Sequence, residues 1–366
     1  MTTHQAVHLI RIARLRRFVG VFARGGDRDA AAEALGELAR ASLDGGLATD
    51  AVQRARQAAQ LFAEEQASEP GVRALIHLGS ICLETGAADA AASAAELARE
   101  RASELSEPAP VLFAAATLLA GLAHASDGNE SEARTRLSEA RDLLVAAHLP
   151  AGAALALVQH GLLDLGAEHP EGADVCFSFA RDFYRAAGFS PGVVEVAAVA
   201  ARAFADAGDP ERADRWLATA IGDADAAGIA DLAVELIIER AAGLERAGAA
   251  AEAVRVATDG ANRCAQLGAT PAADMLRSRV QLPLARLLDD PREAMRHLEA
   301  AFELGLAHRD PVTLGGALEA LVAGLVSERF SGDGWRKVAL FRDRLADAGF
   351  DALADTADTA LADLGG

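Results

Sequence analysis

His160, Asp164, Glu168 and His169 are the residues whose types and spacing come nearest to a metal site in this sequence. Steps of four stack side chains on one helical face, and imidazole with carboxylate is a donor set that zinc accepts. Glu168 and His169, however, fall at the turn before Pro170, so a solvated helix end is the plainer reading. His4 and His8 repeat the spacing near the start of the chain and are read the same way. Cys82, Cys176 and Cys264 lie 94 and 88 residues apart with no C-x-x-C, which argues against a zinc site or a disulfide framework and for a reducing, cytoplasmic setting. Cys176, beside Phe177 on an apolar helix, reads as a buried small hydrophobe. The run Gly332, Asp333, Gly334, Trp335 lacks the strand and lysine that a phosphate loop needs. No serine sits in a nucleophile-elbow frame, and carboxylates are too plentiful to assign a catalytic pair. Catalysis, a resident metal and a cofactor are therefore not expected.

Arg11, Arg14 and Arg17 form the one basic stripe, at three-residue steps opposite Val7, Ile10, Phe18 and Phe22. Two readings stand. The stripe is a basic docking helix for an acidic partner, an anionic membrane or nucleic acid. Or it is the polar face of a capping helix that offsets the protein's own negative field. Over the whole chain, a net charge of -19 repels phosphate backbones, so nucleic acid is not the expected partner. Positive charge is almost all arginine, with Lys337 the single lysine, a bias expected of a GC-rich genome.

The elements that carry these residues are helices. Of the 366 residues, 51% are apolar but only 4% aromatic, a composition for small side chains packed at close range. Strictly alternating β-branched runs are lacking, so strands are not expected. No stretch is long and apolar enough to span a membrane, and the start of the chain lacks the apolar core of a signal peptide.

A period near forty residues orders the chain. An alanine anchors each copy, at Ala51, Ala91, Ala133, Ala173, Ala213, Ala253 and Ala294, with gaps of 40, 42, 40, 40, 40 and 41. Seven positions later every copy has another small residue, from Ala58 to Ala301. Five positions earlier Gly46, Gly86, Gly128, Gly208 and Gly248 recur, while Glu168 and Asp289 depart. Twelve positions earlier stand Ala39, Gly79, Gly121, Gly161, Ala201 and Ala241, and then Leu282 breaks the rule. Glycine ends a helix because it takes the left-handed turn without steric cost. Asp209-Pro210 and Asp290-Pro291 restart one, since Asp caps free N–H groups and Pro fits the first turn. Small residues inside helices let two helices approach closely. Each copy is helix, tight turn, helix, longer turn.

This register resembles the tetratricopeptide repeat family, in its long-unit form of about 40 residues, carried by Gly79, Gly121 and Gly161, by Gly86 and Gly128, and by the two alanines seven apart. The family's aromatic signatures are mostly missing, Phe177 excepted. The resemblance implies an all-α solenoid of about eight antiparallel helix pairs, wound as a right-handed superhelix. Residues 1–28 are expected to form an N-terminal capping helix, 29–348 the repeat array and 349–366 a C-terminal capping helix, as one continuous solenoid.

The resemblance also implies a concave groove lined by the first helix of each pair, which receives a peptide or protein. In the matching frame the groove residues are Leu118, Leu122, Val158, Gln159, Leu162 and Leu165 in the middle copies. Later copies contribute Glu195, Arg202, Glu235, Glu239, Arg279 and Arg286. The apolar members have a second reading, as packing against a neighbouring helix or against the terminal helix folded inward. The expected function is a scaffold or adaptor that binds a protein partner. The alternative is a regulator whose groove closes on a small molecule or signalling peptide. Alanine-rich ends and convex faces also allow a homo-oligomer.

Overall fold

Helix starts in this chain are fixed by short polar side chains and by proline. The Asp209 carboxylate accepts a hydrogen bond from the Arg212 N–H at 2.9 Å, and Asp290 accepts one from Arg292, each with Pro as the next residue. Both restart helices where the sequence places them. Helix ends are fixed by left-handed turns. Gly46, Gly86, Gly128, Gly208 and Gly248 all adopt φ between +76° and +79°. Glu168, which departs from glycine in sequence, takes the same conformation with φ +59°. At Asp289 the chain leaves its helix in extended form instead, through Leu288.

The structure is a computed structural model that describes residues 28–62, 67–327, 329–330 and 334–363. Arg11, Arg14 and Arg17, and the capping helix expected around them, lie outside the described residues, as do His4 and His8. Among the described residues there are 17 helices and no strand. The backbone groups into two compact units, Met1–Phe189 and Ser190–Gly366.

In the first unit four pairs follow one another. They are α1 (Arg28–Asp44) with α2 (Ala48–Gln60), α3 (Glu69–Glu84) with α4 (Ala88–Ser103), α5 (Pro110–Ser126) with α6 (Glu130–Ala146), and α7 (Pro150–Gly166) with α8 (Pro170–Ala186). The second unit has α9 (Ser190–Asp206) with α10 (Pro210–Ala227), α11 (Ala230–Arg246) with α12 (Ala250–Gln266), α13 (Pro271–Leu287) with α14 (Pro291–His308), and α15 (Pro311–Val326) with α16 (Gly334–Asp347), followed by α17 (Asp351–Asp363). Within each unit, each helix packs on the next in sequence. First helices also touch the first helix of the following pair, α3 on α5 and α5 on α7 in one unit, α11 on α13 and α13 on α15 in the other. Antiparallel pairs stacked in this way have the layout expected from the repeat register, and the described residues are all-α.

The recurring small residues sit where backbones come closest. A Cβ added at Gly79 would stand 2.7 Å from Leu119, one at Gly121 2.8 Å from Leu137, and one at Gly161 2.9 Å from the Phe177 ring. The anchor alanines and those seven positions later are fully or almost fully buried. Leu282, the exception, reverses the arrangement: the glycine is Gly316 on the neighbouring first helix, whose added Cβ would meet Leu282 at 2.9 Å. The core of the second unit adds Phe302 of α14 stacked on Phe341 of α16, with centroids 3.6 Å apart. Gly222, inside α10, has open space where its Cβ would be. Gly222→Ala is therefore expected to stabilise the second unit by about 1 kcal/mol through helix propensity alone. Denaturant titration checks this, and a loss of stability would show a contact at that position.

Candidate functional site

In the first unit, Leu118 and Leu122 of α5 are half-buried and pack against Ala133, Leu137, Ala156 and Leu163. Leu118 also touches the cluster of Ala114, Ala140, Leu144 and Ala153. Both leucines thus hold one pair to the next. On α7, Val158, Gln159, Leu162 and Leu165 are half-buried, and Leu155, absent from the sequence-based set, extends their stripe with 39% exposure.

The His160 segment does not assemble a metal site. His160 Nε2 lies 3.2 Å from Ser138 Oγ, and Asp164 Oδ1 accepts from Arg134 at 2.5 Å. Burial pushes the His160 pKa down, against the pull of Asp164. Glu168 occupies the left-handed turn and His169 is exposed ahead of α8. Cys176 Sγ is 3.8 Å from Asp164 Oδ2, and burial, reinforced by that carboxylate, raises its pKa to about 11. A thiol held in its protonated form is a poor nucleophile.

Among the described residues, Glu96, His124 and Glu132 are the one trio of potential ligands whose atoms gather within 4.8 Å. A guanidinium already serves two of them: Arg136 donates to Glu96 at 2.7 Å, pairs with Glu132 at 2.7 Å, and reaches Glu139 at 3.5 Å. Arg99 pairs with Glu96 at 3.0 Å and with Glu139 at 3.6 Å. Burial would raise the Glu96 pKa, but the hydrogen bonds and charges of Arg136 and Arg99 outweigh it and hold the carboxyl below its ordinary value. The cluster is an ion-pair network joining α4 to α6. The sequence does carry a signal for it, since Glu96 and Arg136, like Arg99 and Glu139, are opposite charges 40 residues apart, one repeat.

In the second unit four of the six charged members of the sequence-based set form ion pairs. Arg202 of α9 grips Glu239 of α11 through two hydrogen bonds of 2.9 Å. Arg286 pairs with Glu245 at 3.1 Å, and Arg279 donates at 3.1 Å to Asp310, the buried cap of α15. Glu195 and Glu235 are exposed.

A cleft of about 390 Å³ opens between α9, α10 and α11. Its floor is Ala201, Ala205, Ala213, Leu217, Gly243 and Leu244. Two ion pairs edge it, Arg202–Glu239 and the less exposed Arg240–Asp214, the latter bidentate at 2.7 and 3.0 Å. The Arg202 pKa is raised by its hydrogen bond to Glu239, with burial opposing. Arg–carboxylate forks of this kind can exchange partners with a ligand's carboxylate, guanidinium or backbone groups. The small floor leaves room for an apolar side chain between them. No described helix is long and apolar enough to cross a membrane.

No protein-family model matches the chain, and no curated protein does. Among solved structures it is similar to a Rap protein complexed with competence and sporulation factor, at 12% identity over 99% of this chain and 97% of that one, with a TM-score of 0.43. It is also similar to a signal-transduction ATPase with a tetratricopeptide repeat sensor from Pyrococcus horikoshii, at 13% identity over 98% of this chain and 55% of that one, with a TM-score of 0.47. A tetratricopeptide repeat protein from Parabacteroides merdae matches at 16% identity over 79% of this chain and 98% of that one, with a TM-score of 0.40.

Proposed function

We propose that this chain is a protein-interaction module that holds a peptide or an extended protein segment against the first helices of its pairs. The cleft between α9, α10 and α11 is the principal seat. The observation that carries this reading is the pairing of an alanine, glycine and leucine floor with two bidentate Arg–carboxylate forks at its edge. A floor of small residues accepts an apolar side chain, and the forks set direction and specificity through the ligand's polar groups. The stripe of Leu155, Val158, Leu162 and Leu165 offers a second, apolar seat in the first unit by the same logic.

Selecting a displayed random-peptide library on the full chain tests the reading. Ala205→Trp and Gly243→Trp fill the cleft without changing charge; Ala205 is exposed, and a Cβ at Gly243 meets nothing within 4 Å. The enriched peptides are expected to lose at least about tenfold in affinity on both variants, with helicity and thermal midpoint unchanged. Peptides that bind both variants as tightly as the wild type would move the site elsewhere.

A further inference from the structure

A third apolar surface lies on the last first-position helix, outside the cleft and the Leu155 stripe. α15 and α17 enclose a groove of about 690 Å³ over Gly315, Leu318, Val322, Ala323, Leu353 and Ala360. A further hollow of about 500 Å³ continues it past Val326 and Thr359 to Asp363. Leu318 is 2% exposed and forms its base, whereas Val326 at the edge is 69% exposed.

Charge says what belongs there. Among the described residues the charged lining groups are Glu319 and Asp363, and no Lys, Arg or His lines either part. Asp355 is exposed on the adjoining turn of α17. The two helices run the same way, since Leu353 lies by Gly315 and Asp363 lines the same hollow as Val326. Their C-terminal carbonyls therefore gather at one end, and each helix end carries roughly half a negative charge. Thr356 and Thr359 point no free hydroxyl hydrogen at a ligand, because each donates to its own helix, to Ala352 O and Asp355 O. A second copy seated face to face would set acidic rim against acidic rim, which is repulsive.

We propose that this groove binds an amphipathic helix that is apolar on one face and bears Lys or Arg on its flanks, with a cation directed at the Asp363 end. The apolar face covers Leu318, Val322 and Val326, as helix-in-groove recognition requires. This goes beyond the cleft and does not depend on it.

The test uses the full chain and a synthetic fluorescent helix of about 14 residues, with Leu at i, i+3, i+4 and i+7 and Lys elsewhere, beside the same peptide with Glu for Lys. Any basic peptide is drawn to a chain of charge -19, so the decisive variant is Ala323→Trp, which blocks the groove at constant charge; Ala323 is exposed. Anisotropy is expected to show binding of the Lys peptide alone, weakened at least about tenfold by Ala323→Trp. The double change Glu319→Lys, Asp363→Lys, at exposed positions, is expected to weaken it similarly and to flatten its salt dependence. Equal affinity for wild type and Ala323→Trp would reduce the attraction to net charge and overturn the proposal. So would binding of the Glu peptide, or a wild-type dimer in sedimentation that Ala323→Trp dissociates, since the occupant would then be a second copy.

Discussion

Phe177→Ala is expected to lower the stability of the first unit by about 4 kcal/mol, the range for deleting a fully buried aromatic side chain. The ring is 0% exposed and lies against Gly161, where an added Cβ would come within 2.9 Å of two of its atoms. Gly161→Val drives methyl groups into that ring and is expected to cost about 3 kcal/mol by overpacking. The two changes belong together. With alanine at 177 the valine has room, so the double variant should lose less than the sum by more than about 1 kcal/mol. Repeat arrays need not unfold in one step, so the cleaner measurement is hydrogen exchange of amides in α7 and α8. Strict additivity would mean that glycine at this register position does not serve close approach of the two helices.

Arg136→Leu is expected to cost about 2 kcal/mol at neutral pH, from the loss of charged hydrogen bonds that leaves Glu96, Glu132 and Glu139 facing one another. Partial exposure of the network, with Glu96 at 31%, keeps the figure below that of a buried pair. The pH dependence follows from the Glu96 carboxyl. Burial raises its pKa, and the donors Arg136 and Arg99 more than reverse this, so the folded value lies below the unfolded one. Its contribution is present above the ordinary glutamate range and is lost as pH falls through the lowered folded value. Without Arg136 the carboxyls are easier to protonate. The gap between wild type and variant is thus widest near pH 7 and closes as the solution becomes acidic. Denaturation midpoints at several pH values measure it. A gap that stays constant across that range would assign Arg136 a packing role rather than an electrostatic one.

The fold was legible wherever a signal acts within a few residues. Gly86 and Gly128 mark left-handed turns, and Asp209 and Asp290 mark caps, because a turn or cap is closed by atoms three or four positions away. Gly79, Gly121 and Gly161 mark close approach, since a missing side chain is visible without knowing what it faces. The same reasoning passes over Glu168, which accepts a left-handed φ without glycine's advantage. It also passes over Leu282, whose missing small partner reappears on another helix as Gly316.

The candidate sites were less legible. Leu118 and Leu122 carry a groove-like pattern, yet they pack on the following pair, which the periodicity of α5 alone does not distinguish from an open wall. Arg202 and Glu239 were both singled out, but their pairing, 37 residues apart, was not. The sequence by itself determined the helix pairs, their length and their order, because hydrogen bonds, caps and side-chain size act locally along the chain. The tertiary structure decided which charges neutralise one another and which apolar faces are left uncovered by the described residues, as at α15 and α17. Those outcomes depend on the neighbour that each face meets, about one repeat away, and on the surface left over once the helices have packed.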